Sequence, residues 1–367
     1  DDADILSGWN SEAFDIPYMV NRVSKVMSKS HTRKFCLWDK LPRERRFERY
    51  GAEQQTFDLI GRVHLDYMEL YRKYTYHEMH SYSLDAIGEY ELGDRKVEYD
   101  GTLDQLYNND FEKFIAYSRQ DVELLVKLDA KLQFIDLANV LAHSNTVLLQ
   151  TTMGAVAQTD QAIINEAHRQ GLIVPDKRYD KDTTQAAGAY VATPKKGMHK
   201  WVGSIDLNSL YPSILRSGNM STETIIGQVR HTYTKEMIEN SKTVAEAWEG
   251  RFATYEYEKV MEKDIVEKLY LDFENGDEFE ATGAEIYELI FNSGQPWIIS
   301  ANGTIFSYEK KGVIPGLLER WYAERKELQA KAREARAEGG DAFAFWDKRQ
   351  LVKKINLNSL YGALLNP

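Results

Sequence analysis

The sequence centres on one short stretch, Ser204-Ile205-Asp206-Leu207-Asn208-Ser209-Leu210-Tyr211-Pro212-Ser213-Ile214. The acidic Asp206 follows apolar residues and precedes a compact turn with Tyr and Pro, after which a short helix is expected. A carboxylate in that position suits a divalent metal ion beside a small pocket, because hard cations prefer oxygen ligands. The stretch therefore predicts a turn-to-helix junction that carries a metal ligand.

Part of this stretch occurs twice in the chain. The string Leu-Asn-Ser-Leu-Tyr is found at 207–211 and again at 357–361, where Lys354 replaces the leading acid. One copy offers a metal ligand and the other offers a cation for phosphate, a combination that suits a nucleoside triphosphate. The two copies have different flanking residues. This favours independent selection of the same string at each site, or coincidence, over duplication of one segment.

Both stretches resemble signature motifs of family B DNA polymerases. Asp206–Ile214 is similar to motif A (DxxSLYPSI), and Lys354–Gly362 is similar to motif B (KxxxNSxYG). Gly8–Asp15 resembles the second exonuclease motif, and Tyr117–Asp121 resembles the third, YxxxD. Four motifs in the family's order are a specific signal, although YxxxD alone is weak. Within the family, the sequence most resembles the replicative polymerases of T-even-type bacteriophages.

The resemblance implies a multidomain chain of the α/β and α+β classes, and the length fits two or three domains. The chain begins without Met and stops just past motif B, so we expect an internal fragment of a longer polymerase. The implied domains are an RNase H-like 3′→5′ exonuclease domain lacking its first motif at 1–133, a helical connection at 134–177, a partial palm at 178–311 with an acidic insertion at 228–300, and a helical-hairpin fingers domain at 312–367.

Local patterns predict several elements within these domains. Asp15 is expected to open a helix with Pro17 near its start, and Phe111–Gln133 is expected to form one amphipathic helix. Two segments around Tyr50-Gly51 are predicted to form a hairpin, which resembles a loop that helps to separate primer from template in phage relatives. The interval 228–300 is acidic and is expected to be partly helical.

The carboxyl-terminal segment predicts an antiparallel helical hairpin. Helices are expected at 315–337 and about 342–364, separated by the helix-breaking residues 338–341. Arg325 and Lys354 lie equally far from the turn, roughly 20 Å below the tip at about 1.5 Å rise per residue. Two cations facing one cleft suit a triphosphate, whereas a plain coiled hairpin would leave both in water.

The resemblance implies two-metal nucleotidyl transfer at motif A. Two Mg²⁺ ions per active site, with Mn²⁺ as a substitute, would activate the primer 3′-hydroxyl and stabilise the phosphate charge. Asp206 would bridge the ions, and the carbonyl of Leu207 would be a further ligand. Backbone N–H groups would hold the triphosphate oxygens, and they belong to Asn208, Ser209, Leu210 and Tyr211.

Further roles follow from the same resemblance. Tyr211 would lie under the incoming sugar and exclude a 2′-hydroxyl, a role compatible with packing beside Pro212. Arg325 would grip the terminal phosphate, and Lys354 would neutralise the α and β phosphates and donate a proton to pyrophosphate. The nascent base pair and the DNA would contact Asn358, Tyr361 and Gly362.

For the editing site, the resemblance implies a DEDD-type exonuclease. Asp15 and Asp121 would be two of its four metal-binding carboxylates, and Tyr117 would orient the attacking water. Asn10 and Phe14 would support the DNA strand and its unpaired 3′ end. Other interpretations stay open, since Asp15 can be a helix cap and the pair Tyr117 and Asp121 can mark an ordinary amphipathic face.

Charge and the motif departures bear on DNA binding. The net charge is −11, but residues 310–354 hold 12 Lys and Arg against 7 Asp and Glu, a stripe that suits phosphates or a solvated helix face. The family often has a second basic residue four positions after Arg325, where this chain has Gln329, and Lys326 and Lys331 lie on other faces. A β-rich region is expected to begin at Gly188. The segment that begins there resembles the linker motif between editing and synthesis domains and is a further candidate for DNA contact.

Composition limits the remaining classes. The single cysteine, Cys36, excludes an internal disulfide framework, and no apolar run approaches a membrane span. The implied function is DNA-templated DNA synthesis with 3′→5′ proofreading in the cytoplasm of a phage host. The implied partners are primer–template DNA, dNTPs, a sliding clamp and a single-stranded DNA-binding protein, with no membrane. An inactive homologue that acts as a DNA-binding scaffold is the alternative, and the downstream motifs disfavour a stand-alone nuclease.

Overall fold

The fold consists of two compact units, Asp1–Gln158 and Thr159–Pro367. Each unit combines helices with strands, which confirms a mixed α/β chain. The finer division into four domains stays a prediction. The computed structural model describes residues 3–49, 51–75, 77–176, 192–230, 268–282, 285–286, 288–300, 303–338 and 342–365.

The strands described in the first unit form two pairs. They are β1 (Ile5–Gly8), β2 (Arg43–Arg49), β3 (Ala52–Asp58) and β4 (Val63–Asp66). β1 pairs with β4 in parallel, and β2 pairs with β3 antiparallel. The second pair confirms the predicted hairpin, and Gly51 in its turn has a φ of +74°, a conformation that favours glycine.

Helices form much of the first unit. Their bounds are α1 (Asp15–Val26), α2 (Tyr67–Tyr74), α3 (Leu84–Leu92), α4 (Leu103–Asn109), α5 (Phe111–Leu132) and α6 (Phe134–Asn145), with α7 (Ala155–Arg169) crossing into the second unit. The bounds of α1 and α5 confirm the predictions for those segments. The helix α2 packs against both strands of the parallel pair. The core is rich in aromatic rings, because fully buried Tyr67 and Tyr71 of α2 both pack against Phe134.

The second unit contains α8 (Leu210–Ser217) and an antiparallel sheet of five described strands. They are β5 (Ile225–Arg230), β6 (Lys268–Phe273), β7 (Glu278–Thr282), β8 (Trp297–Ile299) and β9 (Thr304–Ser307), in the order β7-β6-β5-β9-β8. The described part of 228–300 is therefore mainly strand, with one π-helical turn at Glu288–Asn292. In this part alternating side chains such as Leu271 and Phe273 cover a sheet face. Residues 231–267 lie outside the described residues, so the expected helical content of the interval stays a prediction.

The chain ends in a pair of long helices, α9 (Val313–Glu338) and α10 (Ala342–Leu364), which confirms the predicted hairpin. Leu317, Leu318 and Trp321 of α9 form a buried cluster with Leu357 and Leu360 of α10. No helix among the described residues is long and apolar enough to cross a membrane.

Candidate functional site

The predicted metal ligand lies directly before α8. Ser209 adopts a left-handed conformation, with φ +53°, and its carbonyl accepts a hydrogen bond of 2.9 Å from the Ser213 N–H. Pro212 is buried in the first turn of α8, where its missing N–H costs nothing. The turn-to-helix junction is thus confirmed, and the carboxylate of Asp206 is exposed in front of it.

The apolar residues before this junction are exposed. The side chains of Val202 and Ile205 are 76 % and 96 % exposed, and residues 192–209 form no strand. The predicted β-rich region is therefore wrong for this described part, because no described strand pairs with it. Gly188, where that region was predicted to begin, lies outside the described residues.

Motifs A and B meet in the second unit. The rings of Tyr211 and Tyr361 stack with centroids 4.1 Å apart and planes at 11°. On α10, Lys354 is half-buried and Asn358 is exposed. Lys354, Asn358 and Tyr361 follow a spacing of four and three residues and so form one stripe along α10. A Cβ on Gly362 would meet no atom within 4 Å, so the surface beside this stripe is open among the described residues.

The cations of the helical hairpin have defined contacts. Arg325 Nε donates to Gln350 Oε1 at 3.4 Å, one helical turn before Lys354, which agrees with the predicted level of the two cations. The ammonium groups of Lys326 and Lys331 lie over the rings of Tyr322 and Trp346. Their predicted placement on other faces is compatible with these contacts.

Asn219 and Glu223 tie α8 to the beginning of α9. Asn219 is 2 % exposed, and its Nδ2 donates to Lys310 O at 2.8 Å while its Oδ1 accepts from Gly312 N at 3.0 Å. Glu223 accepts from Val313 N at the start of α9. Burial opposes ionisation of Glu223, but these hydrogen bonds hold its pKa below the usual value. The same hydrogen bonds therefore fix the segment that follows α8 and the start of the helical hairpin formed by α9 and α10.

In the first unit, Asp66 organises the turn that leads to Asp15. Its two carboxylate oxygens accept from Asn10 N and Glu12 N, each at 3.0 Å, and it also caps α2 through Met68 N. Burial raises the pKa of the Asp66 carboxyl, while the three backbone N–H donors act in the opposite direction. The turn is thus held by a residue far away in the sequence.

Asp15 itself is the first residue of α1, and the capping position belongs to Phe14 without a side-chain cap. The alternative interpretation of Asp15 as a helix cap is therefore wrong. Phe14 and Tyr18 are 62 % and 58 % exposed, and their rings stack with centroids 6.0 Å apart. An exposed pair of stacked rings is the kind of surface on which nucleic-acid bases stack.

Tyr117 and Asp121 share a face of α5, as predicted, and both contact Lys96. Lys96 Nζ donates to Asp121 Oδ2 at 2.8 Å and to the Tyr117 hydroxyl at 3.4 Å. Burial works against the charge of Lys96, but the hydrogen bond and the charge of Asp121 outweigh it and raise the pKa of the lysine. The remaining Asp121 oxygen, Oδ1, is buried and accepts no hydrogen bond from the described residues.

Two protein-family models match this chain. The model of DNA polymerase family B matches residues 146–365, and that of the family B exonuclease domain matches residues 1–87. The chain belongs to DNA polymerase family B.

Individual relatives extend the comparison. The family B chain is 34 % identical over 244 residues to the DNA-directed DNA polymerase of Escherichia phage RB69, covering 65 % of this chain and 27 % of that protein. It is 30 % identical over 227 residues to that of Enterobacteria phage T4, covering 62 % and 25 %. It is 25 % identical to the DNA polymerase delta catalytic subunit of Drosophila melanogaster, covering 98 % and 29 %. The chain spans about a quarter of the length of the two phage relatives.

Family B polymerase and exonuclease domains generally use divalent metal ions, and the donors of this family B chain fit that use. A buried carboxylate oxygen without a partner, such as Asp121 Oδ1, is costly unless a cation or water satisfies it. Asp206 presents an exposed carboxylate. The part of the chain that the structure describes contains no group of three or more His, Cys, Asp or Glu that could hold a metal ion, so each is a single candidate ligand.

Sequence reasoning missed three residues of the candidate editing site in this family B chain. Tyr18 lies one turn after Phe14, so helical periodicity could have identified it. Lys96 is 25 residues from Asp121, and Asp66 is 56 residues from Asn10. No local pattern marks those two, because their contacts arise only from the packing of distant segments.

Proposed function

We propose that this chain carries the nucleotide-binding and editing residues of a replicative DNA polymerase. Such an enzyme extends a primer from dNTPs on a DNA template and removes unpaired 3′ ends. The observation that carries the proposal is the stack of Tyr211 on Tyr361, which joins two motifs that the sequence separates widely. The printed names of the phage relatives, DNA-directed DNA polymerase, support the same activity.

The architecture proposed for this activity has three parts. The first unit corresponds to an RNase H-like exonuclease domain. α8 and the five-stranded sheet correspond to part of a palm, and the helical hairpin of α9 and α10 corresponds to the fingers. A sliding clamp, a single-stranded DNA-binding protein and a location in the host cytoplasm are further proposals that rest on the phage relatives.

At the synthesis site, Asp206 and the carbonyl of Leu207 would hold Mg²⁺. When bound, the ions supply a lowered pKa for the primer 3′-hydroxyl and neutralisation of phosphate charge. The N–H groups of residues 208–211 would bind triphosphate oxygens. Arg325 would orient the terminal phosphate, and Lys354 would place a proton on the leaving pyrophosphate oxygen.

The sugar and the base of the incoming nucleotide would meet two different rings. Tyr211 would occupy the space of a 2′-hydroxyl and so select deoxyribonucleotides. Asn358 and Tyr361 would line the nascent base pair, and the open space beside Gly362 admits DNA to close approach. Glycine inside a helix costs about 1 kcal/mol relative to alanine, so a role in ligand approach explains its presence where packing does not.

At the editing site, Asp15 and Asp121 would hold Mg²⁺, and the Tyr117 hydroxyl would orient the attacking water. Lys96 would hold Tyr117 and Asp121 in one geometry. Phe14 would stack on an unpaired base, and the turn at Asn10 would support the strand.

The proposal is tested by separating the two activities in the full-length protein. Asp206→Ala is expected to abolish primer extension and to leave single-strand degradation intact, because it removes a ligand from the synthesis site alone. Asp15→Ala is expected to do the reverse. Asp277→Ala, in an exposed turn of the second unit, is the matched control and should retain both activities.

Two outcomes would overturn the proposal. Substantial extension by Asp206→Ala would end the motif A assignment, and normal proofreading by Asp15→Ala would end the editing assignment. A full-length protein that binds primer–template but neither extends nor degrades it would favour the inactive scaffold instead.

A further inference from the structure

We infer that Tyr361 controls how strictly the polymerase excludes ribonucleotides, by holding the ring of Tyr211 in place. The inference rests on the proposed function, in which Tyr211 lies under the sugar of the incoming nucleotide. In that function Tyr361 contacts the base pair, so a role in sugar selection is an additional one. Tyr361 would act as a positioning residue, through Tyr211 and without contact to the sugar.

The first support is the geometry of the ring contact. The two rings are nearly parallel, at 11°, and their centroids are 4.1 Å apart, so the face of one ring covers the face of the other. Tyr211 is 37 % exposed, and this exposed surface is free to meet a ligand. A stacked partner restricts the ring to one orientation, because rotation about the side-chain bonds would break the contact or cause a clash.

The second support is that no hydrogen bond fixes either ring. Neither tyrosine hydroxyl makes a hydrogen bond within the described part of the chain, where the ring contact found for Tyr211 is the stack on Tyr361. Pro212 follows Tyr211 and is buried, so it fixes the backbone but leaves the ring free to turn. The position of the Tyr211 ring therefore depends on Tyr361.

The third support is the rigid base of the stack. Leu360, next to Tyr361, is fully buried in a cluster with Leu317 and Trp321, and Leu215 packs against the same cluster from α8. Leu215 lies one turn after Tyr211. Because α8 and α10 share this core, the two rings are presented to each other by backbones that cannot slide independently.

The surface beside the stripe on α10 is open among the described residues. Asn358 is exposed, and the space beside Gly362 is empty of protein atoms within 4 Å of a Cβ placed there. Tyr361 can therefore touch a base pair with one part of its ring and Tyr211 with the other. A nucleotide that displaces Tyr361 would also release Tyr211, so sugar selection would depend on correct base geometry.

The test uses the full-length polymerase and measures kcat/KM for correctly paired dNTPs and rNTPs. Tyr361→Ala is expected to lower the preference for dNTPs by about twofold to tenfold, the range that corresponds to the loss of one aromatic pair. Tyr361→Phe keeps the stacked ring and is expected to stay within about twofold of the wild type. Tyr361→Leu keeps most of the side-chain volume without the ring, and we expect it to lower the dNTP preference as Tyr361→Ala does. It provides the measurement if Tyr361→Ala is poorly folded.

A double-variant comparison shows whether Tyr361 acts through Tyr211. Tyr211→Ala should lower sugar discrimination, and adding Tyr361→Ala should lower it no further, because the ring to be held is gone. If Tyr211→Ala lowers discrimination and neither Tyr361→Ala nor Tyr361→Leu does, the inference is wrong and the gate stands. The inference would also be wrong if adding Tyr361→Ala to Tyr211→Ala lowered sugar discrimination by as much as Tyr361→Ala lowers it alone. If Tyr211→Ala has no effect, the gate in the proposed function is itself wrong.

Discussion

Single residues at the proposed editing site depend on partners that lie far away in the sequence. Asp121 and Tyr117 were predicted from a five-residue motif, and the structure adds Lys96, which contacts both. A motif search identifies residues within one element. It cannot identify a lysine that reaches the site from a different segment.

We predict that Lys96→Met lowers single-strand degradation by about tenfold or more in the full-length protein and leaves primer extension unchanged. The variant removes a hydrogen bond between charged groups, which typically contributes about 1.5–3 kcal/mol. Degradation rates of a labelled oligonucleotide measure the effect. Lys127→Met is the matched control. Lys127 lies on the same helix as Asp121, but its ammonium group pairs with Asp94 at 2.7 Å instead of with Asp121. Equal degradation by Lys96→Met and Lys127→Met would contradict the role.

A second residue-scale prediction concerns acid stability. His64 is partly buried and forms a 2.8 Å hydrogen bond with Ser11 Oγ. Burial lowers the pKa of His64, and the charges of Asp66 and Glu12 only partly oppose this. Because the folded pKa lies below the unfolded value of about 6.5, the unfolded state binds more protons in that window. Folding stability should therefore decrease as the pH falls below about 6.5.

Denaturant unfolding at pH 7.5 and pH 5.5 tests the effect. We expect His64→Leu to show a smaller stability difference between the two pH values than the wild type, whatever its overall stability. His143→Leu, at an exposed position on α6, is the control and should keep the wild-type difference. A wild-type pH difference in His64→Leu would show that this imidazole does not couple to folding.

At the scale of elements, the helices were predictable and the sheet was not. The hairpin of α9 and α10 follows from helical periodicity and the Gly339-Gly340 break, both of which are local signals. β5 pairs with β6 and β9 across many residues, whereas β6–β7 and β8–β9 are local hairpins. The acidic composition of 228–300 conceals the alternation of these strands. The β-rich region expected before Asp206 has no described strand, because a strand needs a partner that the local sequence does not specify.

The helical hairpin should lose stability when its buried cluster is truncated. Leu317 is fully buried between Trp321 and Leu360, so Leu317→Ala is expected to cost about 2–5 kcal/mol in the free energy of unfolding. Glu327→Ala, on an exposed face of the same helix, should stay within about 0.5 kcal/mol of the wild type. Urea unfolding followed by circular dichroism measures both. A cost below about 1 kcal/mol for Leu317→Ala would mean that the cluster does not support the hairpin.

At the scale of the whole molecule, the order of the motifs predicted the family and the two functional regions, with an exonuclease match before a polymerase match. The motifs could predict this because each is read within a few residues. The division between the compact units was less accessible, since it falls inside α7 and depends on packing. For the same reason, the support of the site by Asn219 and Glu223 was visible only in the fold.

The central claim is that the carboxylate of Asp206 binds a divalent ion at the incoming nucleotide. A crystal structure of the full-length protein with a dideoxy-terminated primer, a template, the matching dNTP and Mg²⁺ measures this directly. We predict an Asp206 oxygen about 2.0–2.1 Å from a Mg²⁺ ion that also contacts the triphosphate. A nucleotide bound with its ions while the Asp206 side chain points away from all of them would contradict the claim.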